Sequence, residues 1–156
     1  MDGSEAERIG TVQTMPLAFP VLSPDLRKMA YVRQSTADSG SIELQIANAD
    51  GSDAVTYMRD GFMQFTNWAP DSRRFVFTVG EVSRAHLGEI GSPAQPLTDV
   101  STALEVRWIN ANHFFFITRG ETGFELRLGT FGANSVAILG GAEATDHFPM
   151  YDFVIP

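Results

Sequence analysis

Trp68-Ala69-Pro70-Asp71-Ser72-Arg73-Arg74-Phe75-Val76-Phe77-Thr78 can be laid without a gap over Leu22-Ser23-Pro24-Asp25-Leu26-Arg27-Lys28-Met29-Ala30-Tyr31-Val32. In each stretch a proline presets φ for the first central position of a tight turn. The aspartate that follows can bond the backbone beyond it, so the motif predicts a hairpin turn leading into an apolar strand. A weaker third copy reads Trp108-Ile109-Asn110-Ala111-Asn112-His113-Phe114-Phe115-Phe116-Ile117-Thr118, and Phe148-Pro149-Met150 echoes Phe19-Pro20-Val21. Trp68 and Trp108 are 40 residues apart and Asp25 and Asp71 are 46 apart. Self-similarity at that period is the signature of a propeller blade of four antiparallel strands.

Short runs of β-branched, aromatic and aliphatic residues fill each period, separated by Gly, Pro, Asn, Asp and Ser, and no long stretch shows helical periodicity. The fold class is all-β: a single domain over residues 1–156, with repeats at about 19–62, 63–102 and 103–146 and the start of a further blade at 147–156. Four strands are predicted in each repeat. They fall at Phe19–Ser23, Arg27–Gln34, Ile42–Ala47 and Ala54–Met58; then at Phe65–Ala69, Arg73–Val79, Arg84–Ile90 and Gln95–Thr98; then at Glu105–Ile109, His113–Thr118, Phe124–Thr130 and Ser135–Leu139. Gapless alignment makes Met29, Phe75 and Phe115 one equivalent position and Tyr31, Phe77 and Ile117 another, on a face that buries against the neighbouring blade. Asn48-Ala49-Asp50-Gly51-Ser52 predicts a second hairpin loop, with Gly51 supplying positive φ.

Composition narrows the function classes. With 11 basic against 19 acidic residues the chain carries a formal charge of −8, which repels a phosphate backbone and argues against nucleic-acid binding. The absence of cysteine removes disulfides, thiolate metal sites and a cysteine nucleophile. No signal-peptide pattern opens the chain and no apolar run reaches membrane-spanning length, so it reads as soluble, without membrane insertion. The compartment is left open, the periplasm included, since a longer precursor would carry its export signal outside this sequence.

Ser23-Pro24-Asp25-Leu26-Arg27-Lys28 and Ile46-Ala47-Asn48-Ala49-Asp50-Gly51-Ser52, with Trp68-Ala69-Pro70-Asp71-Ser72-Arg73-Arg74, resemble the TolB-like propeller repeats, relatives of the WD-repeat proteins. Blades of that family carry a Trp-Ser-Pro-Asp-Gly stretch, a basic residue, an apolar strand and then a strand ending in Asn-Ala-Asp-Gly-Ser. The resemblance runs from about Phe19 to Phe153. It departs at Leu26 and Ser72, where the family has glycine, and at the third copy, which lacks the Pro-Asp pair, so these turns are expected to differ in type. The resemblance implies a bacterial scaffold that binds proteins or peptides, or a non-catalytic propeller of a larger hydrolase, serine peptidase or sensor. It carries over no catalytic residue.

No catalytic, cofactor or metal site is predicted, and the ligand is unknown. His86, His113 and His147 lie in different repeats, so convergence on a metal is the weaker reading. Asp25 and Asp71 could form a carboxylate pair, but repeat equivalence places them in matching turns. Trp68 and Trp108 could stack on a ligand, yet equivalence favours packing between blades. Phe114-Phe115-Phe116 reads as a strand buried on both faces rather than a docking patch. Arg27, Lys28, Arg73 and Arg74 read as strand-edge charges. Three blades fall short of a closed propeller and leave two apolar faces. The arc belongs to a longer propeller, or two chains close a ring as a homodimer, or the ends fold back and cap the arc; Ile9–Met15 resembles the last strand of a preceding blade and Phe148–Phe153 the first of a following one.

Overall fold

The computed structural model describes residues 10–16, 18–97, 103–119, 123–133 and 136–143. These form three four-stranded antiparallel sheets, each a meander in chain order. Blade 1 comprises β1 (Val21–Leu22), β2 (Lys28–Gln34), β3 (Ile42–Asn48) and β4 (Val55–Asp60). Blade 2 comprises β5 (Met63–Trp68), β6 (Arg74–Val79), β7 (Arg84–Glu89) and β8 (Gln95–Pro96). Blade 3 comprises β9 (Ala103–Trp108), β10 (His113–Arg119), β11 (Gly123–Thr130) and β12 (Val136–Glu143). The repeat therefore translates into one blade per period. His147 and the echo at Phe148–Phe153 lie outside the described residues.

The first hairpin of each blade is built on one side-chain acceptor. Leu26 N–H bonds Ser23 O at 2.9 Å, and Ser72 N–H bonds Ala69 O at 3.1 Å, closing matching turns. Asp25 Oδ1 accepts from the Ser23 hydroxyl at 2.7 Å and from Arg27 N–H, and Asp71 Oδ1 accepts from the N–H groups of Arg73 and Arg74, both at 3.0 Å. The first two turns match each other, whereas the turn of the third copy differs, its loop being one residue shorter. Leu26 and Ser72 both sit at φ 59°, in the left-handed region that glycine would occupy without strain. In the third copy Asn110 Oδ1 takes over, accepting from Asn112 N–H at 2.8 Å and His113 N–H at 2.9 Å. Gly51 closes the β3–β4 loop at φ 88°.

Strand register corrects one equivalence. Trp68 pairs with Phe75, whereas Trp108 pairs with Phe114, so the third loop is one residue shorter. Phe114 and Phe116, rather than Phe115 and Ile117, are the counterparts of Phe75 and Phe77. Cross-strand partners confirm the shift, since Phe75 lies opposite Gly88 and Phe114 opposite Gly129. A Cβ on either glycine would come within 2.4 Å of the ring it faces, so each aromatic fills the space its glycine vacates. The run Phe114-Phe115-Phe116 is accordingly buried at its two ends and only half-buried at Phe115.

Alternation then sends each blade's residues to two faces. The back of blade 1 (Ala30, Val32, Leu44, Ile46) packs on the front of blade 2 (Phe75, Phe77, Val79, with Trp68). The back of blade 2 (Val76, Ala85, Leu87) packs on Val106, Phe114 and Phe116 of blade 3. The larger junction is rich in edge-to-face aromatics, Tyr57 meeting Phe75 at 4.9 Å and Trp68 meeting Phe75 at 5.2 Å between centroids.

The N-terminal expectation needs a second correction. Residues 10–15 form no strand. Val12 packs on Met29, Tyr31 and Ala47, the front of blade 1, and Met15 N–H bonds Val32 O at 3.1 Å. A Cβ on Gly10 would stand 2.0 Å from Asp50 O, so only glycine passes there. The segment covers the face where a preceding blade would sit.

Candidate functional site

Polar groups singled out in the sequence turn out to hold the blades together. Trp68 Nε1–H donates to Val21 O at 2.9 Å and Trp108 Nε1–H to Asn67 Oδ1 at 3.1 Å, so each indole bonds back to the previous blade's inner strand. Asp25 N–H donates to Ser72 Oγ at 3.0 Å, tying the two repeated turns to each other. Ser23 and Arg27 N–H hold the Asp25 carboxyl below the usual range, as expected of a turn acceptor rather than a proton donor.

Arg74 departs from its reading as an edge charge. Its guanidinium donates to Ala111 O at 2.8 Å and to Asn112, stands 3.5 Å from Glu89 and lies 4.6 Å from the centroid of the Phe131 ring, bridging blades 2 and 3. Lys28 Nζ donates to Asn48 Oδ1 at 2.7 Å within blade 1, while Arg73 is largely exposed. Of the described histidines, the His86 ring stacks on Phe77 with centroids 5.4 Å apart, and His113 Nδ1 contacts Asn110. Among the described residues no group of three His, Cys, Asp or Glu side chains could hold a metal.

One buried charge escaped the sequence reading. Glu43 is 2% exposed on the front of blade 1. Its register neighbours are Arg33 on β2 and Arg59 on β4. Arg33 donates to Oε2 at 2.9 Å and Arg59 to Oε1 at 2.6 Å; the Ser35 hydroxyl at 2.9 Å and Gln45 at 3.0 Å complete the shell. Burial opposes the charged form, but Arg59, Ser35 and Arg33 outweigh it and hold Glu43 at about 2 against an ordinary 4.5. With every lone-pair direction engaged, this carboxylate is structural. The signal in the sequence was Glu43 alternating with the apolar Ile42, Leu44 and Ile46, at a position whose partner on β2 is Arg33, where blade 2 carries Val79.

Among the described residues, one concave feature able to take a ligand is a groove of about 470 Å³ between blades 1 and 2. Met15, Val21, Tyr31, Val32, Phe62 and Phe65 line it, with Gln64 as a polar contact. The β4–β5 connection delivers Phe62, which is fixed by Gly80 N–H donating to Phe62 O at 2.9 Å. Phe62 is 45% exposed and Phe19, at the rim, 79%. Such a wall accepts apolar side chains and orients them weakly through few polar groups. Neither Phe19 nor Phe62 carried a motif; their meeting depends on strands from two repeats lying side by side.

Three aromatic-faced meanders packed front to back define a β-propeller repeat protein. No protein-family model matches the chain and no curated protein matches it. Solved structures do. The β-propeller domain of the trilobed protease from Pyrococcus furiosus, described as having an open velcro topology, is similar at 13% identity and TM-score 0.61 over 80% of this chain and 43% of that one. TolB from Acinetobacter baumannii is similar at 16% identity and TM-score 0.58, over 85% of this chain and 34% of its own. A putative TolB from Agrobacterium tumefaciens shares 13% identity at TM-score 0.57, over 85% and 52%. The fold is thus that of a TolB-like propeller, here a partial one of about three blades. The chain spans between about a third and a half of the length of these structures. No helix among the described residues is long and apolar enough to cross a membrane.

Proposed function

We propose that this chain is a non-catalytic propeller scaffold that binds a protein or peptide partner at the groove between blades 1 and 2. The observation that carries the reading is the apolar groove itself, with Phe62 and Phe19 both exposed at its edge. Gln64 is the amide side chain of its lining, while the polar groups of the repeated turns bond one another and Glu43 is enclosed by its own partners. Selection from a displayed peptide library with the whole chain should enrich peptides with aromatic or branched apolar side chains. Phe62→Asp should then weaken the binding of an enriched peptide at least tenfold. Failure to enrich any sequence, or binding indifferent to Phe62→Asp, would reject the groove.

A second reading is favoured by the similarity to a protease propeller: the same blades serve as the non-catalytic part of a larger TolB-like hydrolase, peptidase or sensor whose active residues lie outside this chain. Both readings expect no hydrolysis of peptide or ester substrates by the chain alone, and turnover that survives purification would overturn both.

A further inference from the structure

At one end the two described junctions are built from matching residues with different results. Lys28 on β2 and Arg74 on β6 are register counterparts, pairing with Asn48 and Glu89. Ile90 N–H bonds Arg73 O at 3.0 Å as Phe131 N–H bonds Asn112 O at 2.7 Å, so Ile90 and Phe131 are counterparts as well. Between blades 2 and 3 the matching pair is in contact. The Arg74 guanidinium lies 4.6 Å from the Phe131 ring centroid, stands 3.5 Å from Glu89 and donates to Ala111 O at 2.8 Å. Between blades 1 and 2 the smaller Ile90 and Lys28 instead line a cavity of about 390 Å³.

Ile46, Val55, Tyr57 and Ile90 make the walls of this cavity apolar. Of its polar lining, Thr56 Oγ1 already accepts from Gln45 at 2.7 Å and Ser92 Oγ donates to Glu89 at 3.3 Å. Lys28 and Asp53 differ from these. Asn48 holds both at the two ends of one carboxamide, its Oδ1 accepting from Lys28 Nζ at 2.7 Å and its Nδ2 donating to Asp53 Oδ2 at 2.8 Å. Among the described residues no carboxylate pairs with Lys28 and no cation with Asp53. An ammonium carries three donors and a carboxylate two acceptor oxygens, so each charge keeps bonding capacity for a ligand.

We propose that this cavity binds a free apolar α-amino acid, its carboxylate on Lys28, its ammonium on Asp53 and its side chain among Val55, Tyr57 and Ile90. Charge complementarity selects the occupant. A cation and an anion spaced by one carboxamide match opposite charges borne by a single carbon, whereas a peptide separates its two termini and brings only one of them to this pair. An apolar side chain suits walls that offer a ligand no hydrogen bonds, and the volume falls within the range of small-molecule sites. Lys28 and Ile46 lie at the opposite ends of β2 and β3 from Val32 and Ile42, which line the Phe62 groove. The two sites are therefore separate, and their tests fail independently.

Ligand-observed NMR titration of the whole chain should show saturable binding of L-leucine with a Kd on the order of 1 mM or tighter. Leucinamide, which lacks the carboxylate, and isocaproate, which lacks the ammonium, should each bind at least about tenfold more weakly. Lys28→Met should weaken L-leucine but not leucinamide, and Asp53→Asn should weaken L-leucine but not isocaproate. Phe62→Asp, at the separate groove, should leave L-leucine binding as it is. Failure of L-leucine to saturate, analogues that match it, or binding indifferent to Lys28→Met and Asp53→Asn would each overturn the proposal.

The repeat itself supplies a variant that fills the site. Ile90→Phe copies Phe131, and should abolish L-leucine binding while shifting Tm by no more than about 2 °C, because the ring enters a cavity rather than a packed core. L-leucine binding that survives in the folded variant would place the ligand elsewhere and overturn the proposal. A variant that fails to fold would show that the space admits no further side chain, which overturns it equally.

Discussion

On the front of blade 2, Phe75, Phe77 and Val79 pack in an apolar cluster against another blade, while the strand beside them carries Gly88, a half-buried His86 and an exposed Arg84. On the front of blade 1 the same register positions hold Met29, Tyr31 and Arg33, and the strand beside them carries Ala47, Gln45 and Glu43. The neighbour explains the difference. A whole blade excludes water from the face it covers, and an ion cluster there would lose hydration that its partners could not fully replace. An irregular segment is a thinner cover. On that same face Glu43 is 2% exposed, but the Arg33 and Arg59 side chains remain 34% and 46% exposed and keep part of their hydration. A buried carboxylate is tolerated where its counter-charges reach solvent and every acceptor direction is occupied.

The contrast can be broken most directly at its centre. Phe75→Ala should cost about 3–5 kcal/mol in urea denaturation, as expected for a fully buried ring between blades. Met29→Ala at the matching position should cost about 2 kcal/mol, the low end for its type, because Val12 and its neighbours can settle into the space. Equal losses would mean that the N-terminal segment packs as firmly as a blade. Next in size is Gly88→Ala. Its new Cβ would fall 2.3 Å from Phe75, a ring with nowhere to retreat, and overpacking of this kind costs about 1–3 kcal/mol. Ala47→Gly, the reverse change in blade 1, should cost only about 0.5–1 kcal/mol by loosening the strand backbone.

Acid sharpens the comparison from the polar side. The folded-state value of Glu43, about 2, lies below its ordinary 4.5, so its contribution to stability is full above about 4.5 and is lost as pH falls toward about 2. Glu43→Gln should lower the urea midpoint near neutral pH and flatten its decline across that window. Asp25, Asp38 and Asp50, also held below their usual range by local hydrogen bonds, should supply the slope that remains. A variant whose acid profile overlays the parent's would remove Glu43 from the account.

The smallest effect separates the two repeated turns. Leu26→Gly relieves a left-handed leucine whose side chain is 66% exposed, and should raise stability by about 0.5–1 kcal/mol. Ser72→Gly relieves the same φ but removes the hydroxyl that receives Asp25 N–H, so its gain should vanish or reverse. Thermal melts of the two variants side by side decide this.

Much of the blade plan was legible because it is local chemistry. Pro24-Asp25 and Pro70-Asp71 mark turns by backbone preference and carboxylate reach, and alternation assigns faces once a turn is fixed. The third copy misled by a single residue: without the Pro-Asp pair nothing in the sequence located the shorter loop, and a shift of one sends every side chain to the opposite face. Gly88 and Gly129 could have corrected it, each lying opposite an aromatic ring. The candidate groove was not legible, since Phe19 and Phe62 acquire meaning only when the start of blade 1 and the β4–β5 connection border one groove.

The sequence by itself determined the repeat, the twelve strands and, in blade 2, the aromatic positions that pack against a neighbouring blade, because turn propensity and period-two patterning act within a few residues. Only the tertiary structure decided that residues 10–16 lie over the front of blade 1, that Glu43 is sheltered between two arginines, and which phenylalanines of the third blade face inward. Those outcomes depend on what stands against a face, and a chain of local preferences does not encode its neighbour.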